Sequence, residues 1–244
     1  MMPVTIAAPS FVIPGTVAQN ARALAGRVAE VGLCFFEAQA CLAYTEADLP
    51  PDLVDLPLQW HVHLPVDLPW AQGGAAAAEL ACAVFARAAY LAPRLAVLHP
   101  PEGDPAEKCI LLSDFSRAWR AHSDISLLLE NIQGNPLTDI PPEATEDFKI
   151  CLDVGHMLAY NQYELLRRAD LMSRVALLHW SAPGAGDQHL PLTALTPQQM
   201  RAARQAGSSV SASARHMIEV FHLPGMEASV PVLADILGAS WPHP

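Results

Sequence analysis

Six short apolar runs in this chain, WHVHL, RLAVLH, ISLLLE, ICLDVGH, RVALLH and HMIEV, each carry an acid or an imidazole at or near their C-terminal end. Each run has the length and the aliphatic make-up of a β-strand. Strand-like segments recur at roughly 4–8, 31–37, 58–63, 94–99, 125–130, 149–153, 174–179 and 216–220. Helical patterns lie between most of them, several with recognisable starts. Thr16 to Gln19 has capping-box spacing and predicts a helix to about residue 29. Asp104-Pro105-Ala106-Glu107 and Thr196-Pro197-Gln198-Gln199 combine a cap, a first-turn proline and an acid or amide at the third helical position. Residues 75–91, 157–171 and 226–238 supply further helices. Strands alternating with helices must pair in parallel, because each return to the sheet needs a crossover. An open doubly wound sheet fits the same string. However, no GxGxxG follows the first strand, and polar residues gather after many strands rather than at one switch point. The expectation is therefore an α/β chain whose residues 1–244 form a single (β/α)8 TIM-barrel domain.

In such a barrel the C-terminal strand ends converge on one face. That convergence would assemble His63, His99, Glu130, Asp153, His156, His179, Asp187, His189 and Glu219 in one cavity. A lone histidine ending a strand is ordinarily a hydrogen-bonded structural residue. Glu130 and Glu219 are harder to explain that way, since SLLLE and MIE are otherwise apolar and a buried carboxylate without a cation or metal is costly. The turn in CLDVGH brings Asp153 and His156 to the same rim. Asp187-Gln188-His189 is a D-x-H pair, whose alternate residues point the same way in extended chain. Five histidines and four acids at one mouth predict a site for more than one metal ion. The Gly/Pro-rich segments 64–74 and 181–191 follow the third and seventh strands and fall on that face as loops. The Pro-rich stretch 131–148 reads as loop with a short helix at most.

The remaining composition mainly excludes partners. Net charge is −11, with only Lys108 and Lys149 beside twelve arginines and no basic block, a poor surface for nucleic acid. The apolar window 75–98 is interrupted by Glu79, Arg87, Pro93 and Arg94, so no membrane span is expected. Five cysteines, odd in number and without CxxC pairing, favour reduced thiols. The N-terminal MMPVTIAAPSFVIPG lacks the basic region of a signal peptide. A soluble, cytoplasmic protein is expected, its oligomeric state left open.

With these residues in order, the chain resembles the xylose-isomerase-like barrels, which include apurinic endonuclease IV (AP endonuclease family 2) and sugar-phosphate isomerases and epimerases. Glu130, Asp153, His179 and Glu219 match the mononuclear site of the isomerase and epimerase branches. His63, His99, His156, Asp187 and His189 match the additions of the endonuclease IV branch. That likeness implies His63, His99 and Glu130 on one ion, and Glu130 bridging to a second held by Asp153, His179 and Glu219. A third ion would lie on His156, Asp187 and His189. Glu130, Glu219 and Asp153 would be the catalytic acids. Two or three divalent ions are implied, Zn²⁺ first, with Mn²⁺ or Fe²⁺ as alternatives. In length, and in SFVIPGTVAQN, FFEAQ, HVHLPVDL, LLLEN, CLDVGHMLAY, LLHWSAPGAGDQHLPL and IEVF, the chain is similar to the cobamide-remodelling phosphodiesterases (the CbiR family). This implies a corrinoid (cobamide) substrate, cut in its nucleotide loop to cobinamide phosphate and an α-riboside. Trp70 and Trp180 are candidates for stacking on a large planar ligand. His61 and His222 are candidate further contacts, with structural roles as the alternative. A sugar or sugar-phosphate isomerase or epimerase is the competing reading.

Overall fold

In a computed structural model of the chain, residues 6–239 are described, the side chains of Glu143 and Asp187 aside. Seven of the predicted strands appear in order as β1 (Ile6–Pro9), β2 (Glu30–Cys34), β3 (Gln59–His63), β4 (Leu95–Leu98), β5 (Ser126–Glu130), β6 (Lys149–Asp153) and β7 (Val175–Trp180). A hairpin of β8 (Ala182–Gly184) and β9 (Gly186–Leu190) follows, then the last barrel strand, β10 (Arg215–Ile218). All pairings around the barrel are parallel, and β1 closes it by pairing with both β2 and β10. The chain has the expected (β/α)8 fold. Residues 4 and 5 of the first predicted strand lie outside the described residues.

Alternation along each strand divides the apolar residues into two cores. Ala7, Leu95, Val97, Leu128, Cys151, Leu177 and Met217 fill the barrel's interior. Their neighbours Val62, Ala96, Leu98, Leu129, Leu152, Leu178 and Ile218 face outward, in the larger core with the helices. Interior space is tight enough to demand Gly32 on β2. A Cβ there would lie 2.6 Å from His61 Nε2 and 2.7 Å from Met217 Sδ.

The helical layer holds α1 (Val17–Leu24), α2 (Ala38–Leu42), α3 (Gly74–Ala86), α4 (Pro105–Arg120), α5 (Pro142–Thr145), α6 (Val154–Ala159), α7 (Ala169–Met172), α8 (Pro197–Ser208) and α9 (Leu223–Leu237). Both capping boxes form, Thr16 with Gln19 and Thr196 with Gln199. Asp104 accepts from the Ala106 and Glu107 amides at 2.9 Å. Three expectations need correction. The first helix stops at Leu24 instead of residue 29, because Gly26 turns the chain at φ +80°. The single helix expected over 157–171 is three pieces. After α6 the chain turns through Asn161 at φ +57°, then a 3₁₀ turn (Tyr163–Arg167) leads into α7. Lastly, the loop expected at 181–191 is the β8–β9 hairpin, still beyond the C-terminal end of β7. No helix among the described residues is long and apolar enough to cross a membrane.

Candidate metal centre

Glu130, the last residue of β5, stands at the middle of the barrel mouth and is almost wholly buried. Its two carboxylate oxygens face different partners. Oε2 lies 2.9 Å from His63 Nε2 at the end of β3 and 3.1 Å from His99 Nε2 just past β4. Oε1 lies 2.8 Å from His179 Nδ1 on β7. His179 Nδ1 is also 3.1 Å from Glu219 Oε2, beyond β10, and 3.9 Å from Asp153 Oδ2, at the end of β6. Two groups of potential ligand atoms result, His63–His99–Glu130 and Glu130–Asp153–His179–Glu219. The atoms of each lie within 4.8 Å of one another. They share Glu130.

A third set surrounds this pair. His156 on α6 and His189 on β9 bring their ring centroids to 5.6 Å, and His189 Nδ1 is 3.5 Å from Glu219 Oε2. Asp187 stands two residues before His189 on β9, and its side chain lies outside the described residues. Eight of the nine sequence-predicted ligand side chains are thus seen to meet at one mouth.

The imidazoles are aimed by the backbone. His63 Nδ1 donates to the Leu64 carbonyl and His156 Nδ1 to the Asn131 carbonyl, both at 2.9 Å. A carbonyl only accepts, so Nδ1 carries the proton in each ring and Nε2 is left for the cavity. Metal-ligating histidines are ordinarily oriented in this way. Asn131 also ties β5 to β6. It accepts from the Asp153 amide at 2.8 Å, and its Nδ2 donates to the Asp153 carbonyl at 2.9 Å. Asp153 Oδ1 in turn accepts from the His156 amide at 2.7 Å, capping α6. Asn131 was missed as a positioning residue by the sequence reading, although LLLEN contains it.

Charge points to cations. Glu130, Asp153 and Glu219 are all buried, and among the described residues only imidazoles pair with them. Considering protein groups alone, burial opposes ionisation of Glu130. The His179 charge and hydrogen bonds from His179, His63 and His99 nevertheless hold it well below the usual carboxylate range. Asp153 is pushed up to about 7, chiefly by burial, with Glu219 and Glu130 adding repulsion against the pull of His156. Asp153 Oδ2 and Glu219 Oε2 make no directed hydrogen bond among the described residues. Buried carboxylate oxygens in that condition fit an ion, and the nitrogen and oxygen donors suit Zn²⁺, Mn²⁺ or Fe²⁺. Cys151 Sγ also falls within 4.8 Å of ligand atoms of Glu130 and His179.

The candidate substrate contacts fare differently. Trp180 is fully buried outside the barrel, with its indole N–H donating to His216 Nδ1 at 3.1 Å, so it cannot stack on a ligand. His61 is buried inside the barrel, 2.8 Å from Glu30, whose other oxygen pairs with Arg215. That tier lies below the mouth and out of a substrate's reach. His222 caps α9, its Nδ1 accepting from the Gly225 amide at 3.0 Å. Trp70 is half-buried and lines a groove beside His99. Phe36 and Phe221, absent from the sequence-derived site, line the cavity of about 410 Å³ over the ligands. Their ring centroids are 5.8 Å apart.

No family model and no curated protein matches this sequence. Solved structures do. A D-tagatose 3-epimerase-like protein superposes with TM-score 0.68 at 16% identity, covering 96% of this chain and 97% of that one. Endonuclease IV from Thermus thermophilus gives 0.66 at 18%, covering 96% and 99%. Another protein of that organism, in crystals soaked with ZnCl2, gives 0.62 at 21%, covering 97% and 98%. Likeness at these identities establishes the fold, a closed (β/α)8 barrel.

Proposed function

We propose that this chain is a metal-dependent phosphodiesterase that hydrolyses the nucleotide loop of a cobamide to cobinamide phosphate and an α-riboside. One observation supports it most: the two oxygens of Glu130 belong to two different ligand groups, His63 and His99 on one side and His179 on the other. A mononuclear centre has no use for the first group, whereas a bridging carboxylate between neighbouring ions does. Bound divalent ions would lower the pKa of water from about 15.7 toward about 7 and neutralise charge on phosphoryl oxygens. The chain's own residues hold and orient. Glu130 spans both groups, Asp153 and Glu219 close the second, and His156 and His189 extend the centre toward the hairpin. Phe36 and Phe221 limit water above it. In the reaction a water oxygen bonds to phosphorus and the bond from phosphorus to the riboside oxygen breaks. One water proton ends on the riboside hydroxyl.

A sugar or sugar-phosphate isomerase or epimerase is the second reading. It is favoured by the compact group Glu130, Asp153, His179 and Glu219 considered alone. Glu130 and Glu219 would then pass a proton between carbons. Incubation of the metal-loaded protein with a cobamide, followed by product chromatography, separates the readings. Release of an α-riboside and cobinamide phosphate is expected. Binding without cleavage, or turnover of aldose to ketose in place of diester hydrolysis, contradicts the proposal.

A further inference from the structure

At the opposite end of the barrel from the metal centre, a cavity of about 520 Å³ is framed by four cations. Arg94 immediately precedes β4, Lys149 opens β6, Arg174 immediately precedes β7 and Arg215 opens β10. β4 and β10 stand opposite each other in the closed ring of strands, so these cations surround the barrel axis instead of lining one edge. Strands spaced about 4.8 Å apart and tilted about 36° give a ring roughly 15 Å across. Leu95, Val175 and Ala176 supply the apolar surface of the cavity, and Ser173, Ser211 and Ser213 add hydroxyls.

The chain has a net charge of −11 and only 14 lysines and arginines, yet four of them gather here. Elsewhere Arg22, Arg27, Lys108, Arg120, Arg168 and Arg204 each meet a carboxylate. In the cavity Arg215 alone does, pairing with Glu30. Arg94 and Lys149 are exposed and make no ion pair among the described residues. Arg174 is half-buried and donates to the Asp170 and Phe148 carbonyls at 3.2 Å and to the Thr145 hydroxyl at 2.8 Å, with no carboxylate in contact. Like charges held around one concavity repel one another, and its low-dielectric walls focus their field on whatever enters.

We infer that this cavity is a second ligand site, which binds a short chain of linked phosphates, free or as the end of a nucleoside diphosphate or triphosphate. The reaction proposed at the mouth makes no use of it. A single phosphate is too small to reach cations on opposite sides of such a ring. Two or three linked phosphates can touch several at once, and each arginine offers paired N–H donors to phosphate oxygens. The Ser211 and Ser213 hydroxyls, 2.9 Å apart, share one hydrogen bond and keep one O–H to donate. Because Arg215 is held by Glu30, the main contacts fall to Arg94, Lys149 and Arg174. Long polyanions fit poorly. Exposed Asp124, Glu146, Asp147 and Asp170 precede β5, β6 and β7 at the same end, and a nucleic acid or an anionic membrane laid across it would meet them.

Isothermal titration calorimetry of the metal-loaded protein with tripolyphosphate, ATP, AMP and orthophosphate tests this. Tripolyphosphate and ATP are expected to bind about tenfold more tightly than AMP or orthophosphate, and more weakly as salt rises. Equal affinity for ATP and tripolyphosphate makes the phosphate chain the whole ligand, whereas tighter ATP makes it a nucleotide. Joint Arg94→Gln and Lys149→Gln substitution, at two exposed positions, should weaken tripolyphosphate about tenfold. Joint Arg167→Gln and Arg201→Gln substitution removes the same charge from exposed arginines outside the cavity and should weaken it by about twofold at most. Phosphates captured by ions at the mouth would respond to neither pair, so equal affinity in the two double variants overturns the inference. It is also overturned if tripolyphosphate does not bind, if orthophosphate binds as tightly, or if the protein is retained on anionic vesicles or RNA and ignores the small phosphates.

Discussion

A carboxylate as deeply buried as Glu130, ringed by three imidazoles, has no structural purpose that a leucine would not serve better. The Glu130→Gln protein keeps the shape and hydrogen-bonding reach of the side chain and removes the charge a bridging ligand needs. It is expected to bind at least one ion fewer per chain, by mass-spectrometric metal analysis, and to lose activity by about a thousandfold. Unchanged metal content would contradict the bridging role. His216 tests a different kind of burial, since it accepts from the Trp180 indole and burial holds its pKa down to about 4 against the usual 6.5. The unfolded chain therefore takes up this proton first as pH falls. The associated stability is full above about pH 6.5 and is lost as pH drops toward 4, by about 3 kcal/mol at most. Urea unfolding of the native and His216→Phe proteins across that range should show the shallower pH slope in the variant. At this scale the candidate ligands were legible because acids and imidazoles interrupt apolar runs. Phe36, Phe221 and Cys151 were not, because an aromatic or a thiol in such a run looks the same whether it faces a helix or a metal pocket.

The β8–β9 hairpin is the least expected element, and it brings His189 to the site. Among the described residues its strands pair with each other and with no barrel strand. Ala182 and Leu190 are register partners, so residues 183–189 can be replaced by Asn-Gly as a two-residue turn. The shortened protein should keep its circular dichroism and lose one bound ion together with activity. Unaltered metal content would separate the hairpin from the centre. Pro183, Gly184 and Gly186 made this stretch read as loop, and only its D-x-H spacing hinted at extended chain. Whereas the helices expected from 157 and 226 begin at Val154 and Leu223, the starts of α1, α4 and α8 were readable to the residue, because Thr16, Asp104 and Thr196 each supply a side-chain acceptor for exposed amides. Helix ends were not, as the breaks at Gly26 and Asn161 depend on positive φ values that apolar periodicity does not register.

For the whole molecule, closing a parallel barrel is what joins positions as distant as His63 and Glu219. Strand number, spacing and the absence of a phosphate-binding glycine motif after the first strand were enough to choose the barrel over an open sheet. Which strand residues face inward follows from alternation once β1 closes on β10, and that fixes the ligand ring. The groove beyond His99 was not legible, since it arises where the loops after β3 and β4 meet the start of α4. The most direct test of the account is an anomalous-scattering map of crystals grown with Zn²⁺. At least two peaks are expected, one between His63, His99 and Glu130 and one between Glu130, Asp153, His179 and Glu219. A single peak in the second group, with His63 and His99 unliganded, would contradict it.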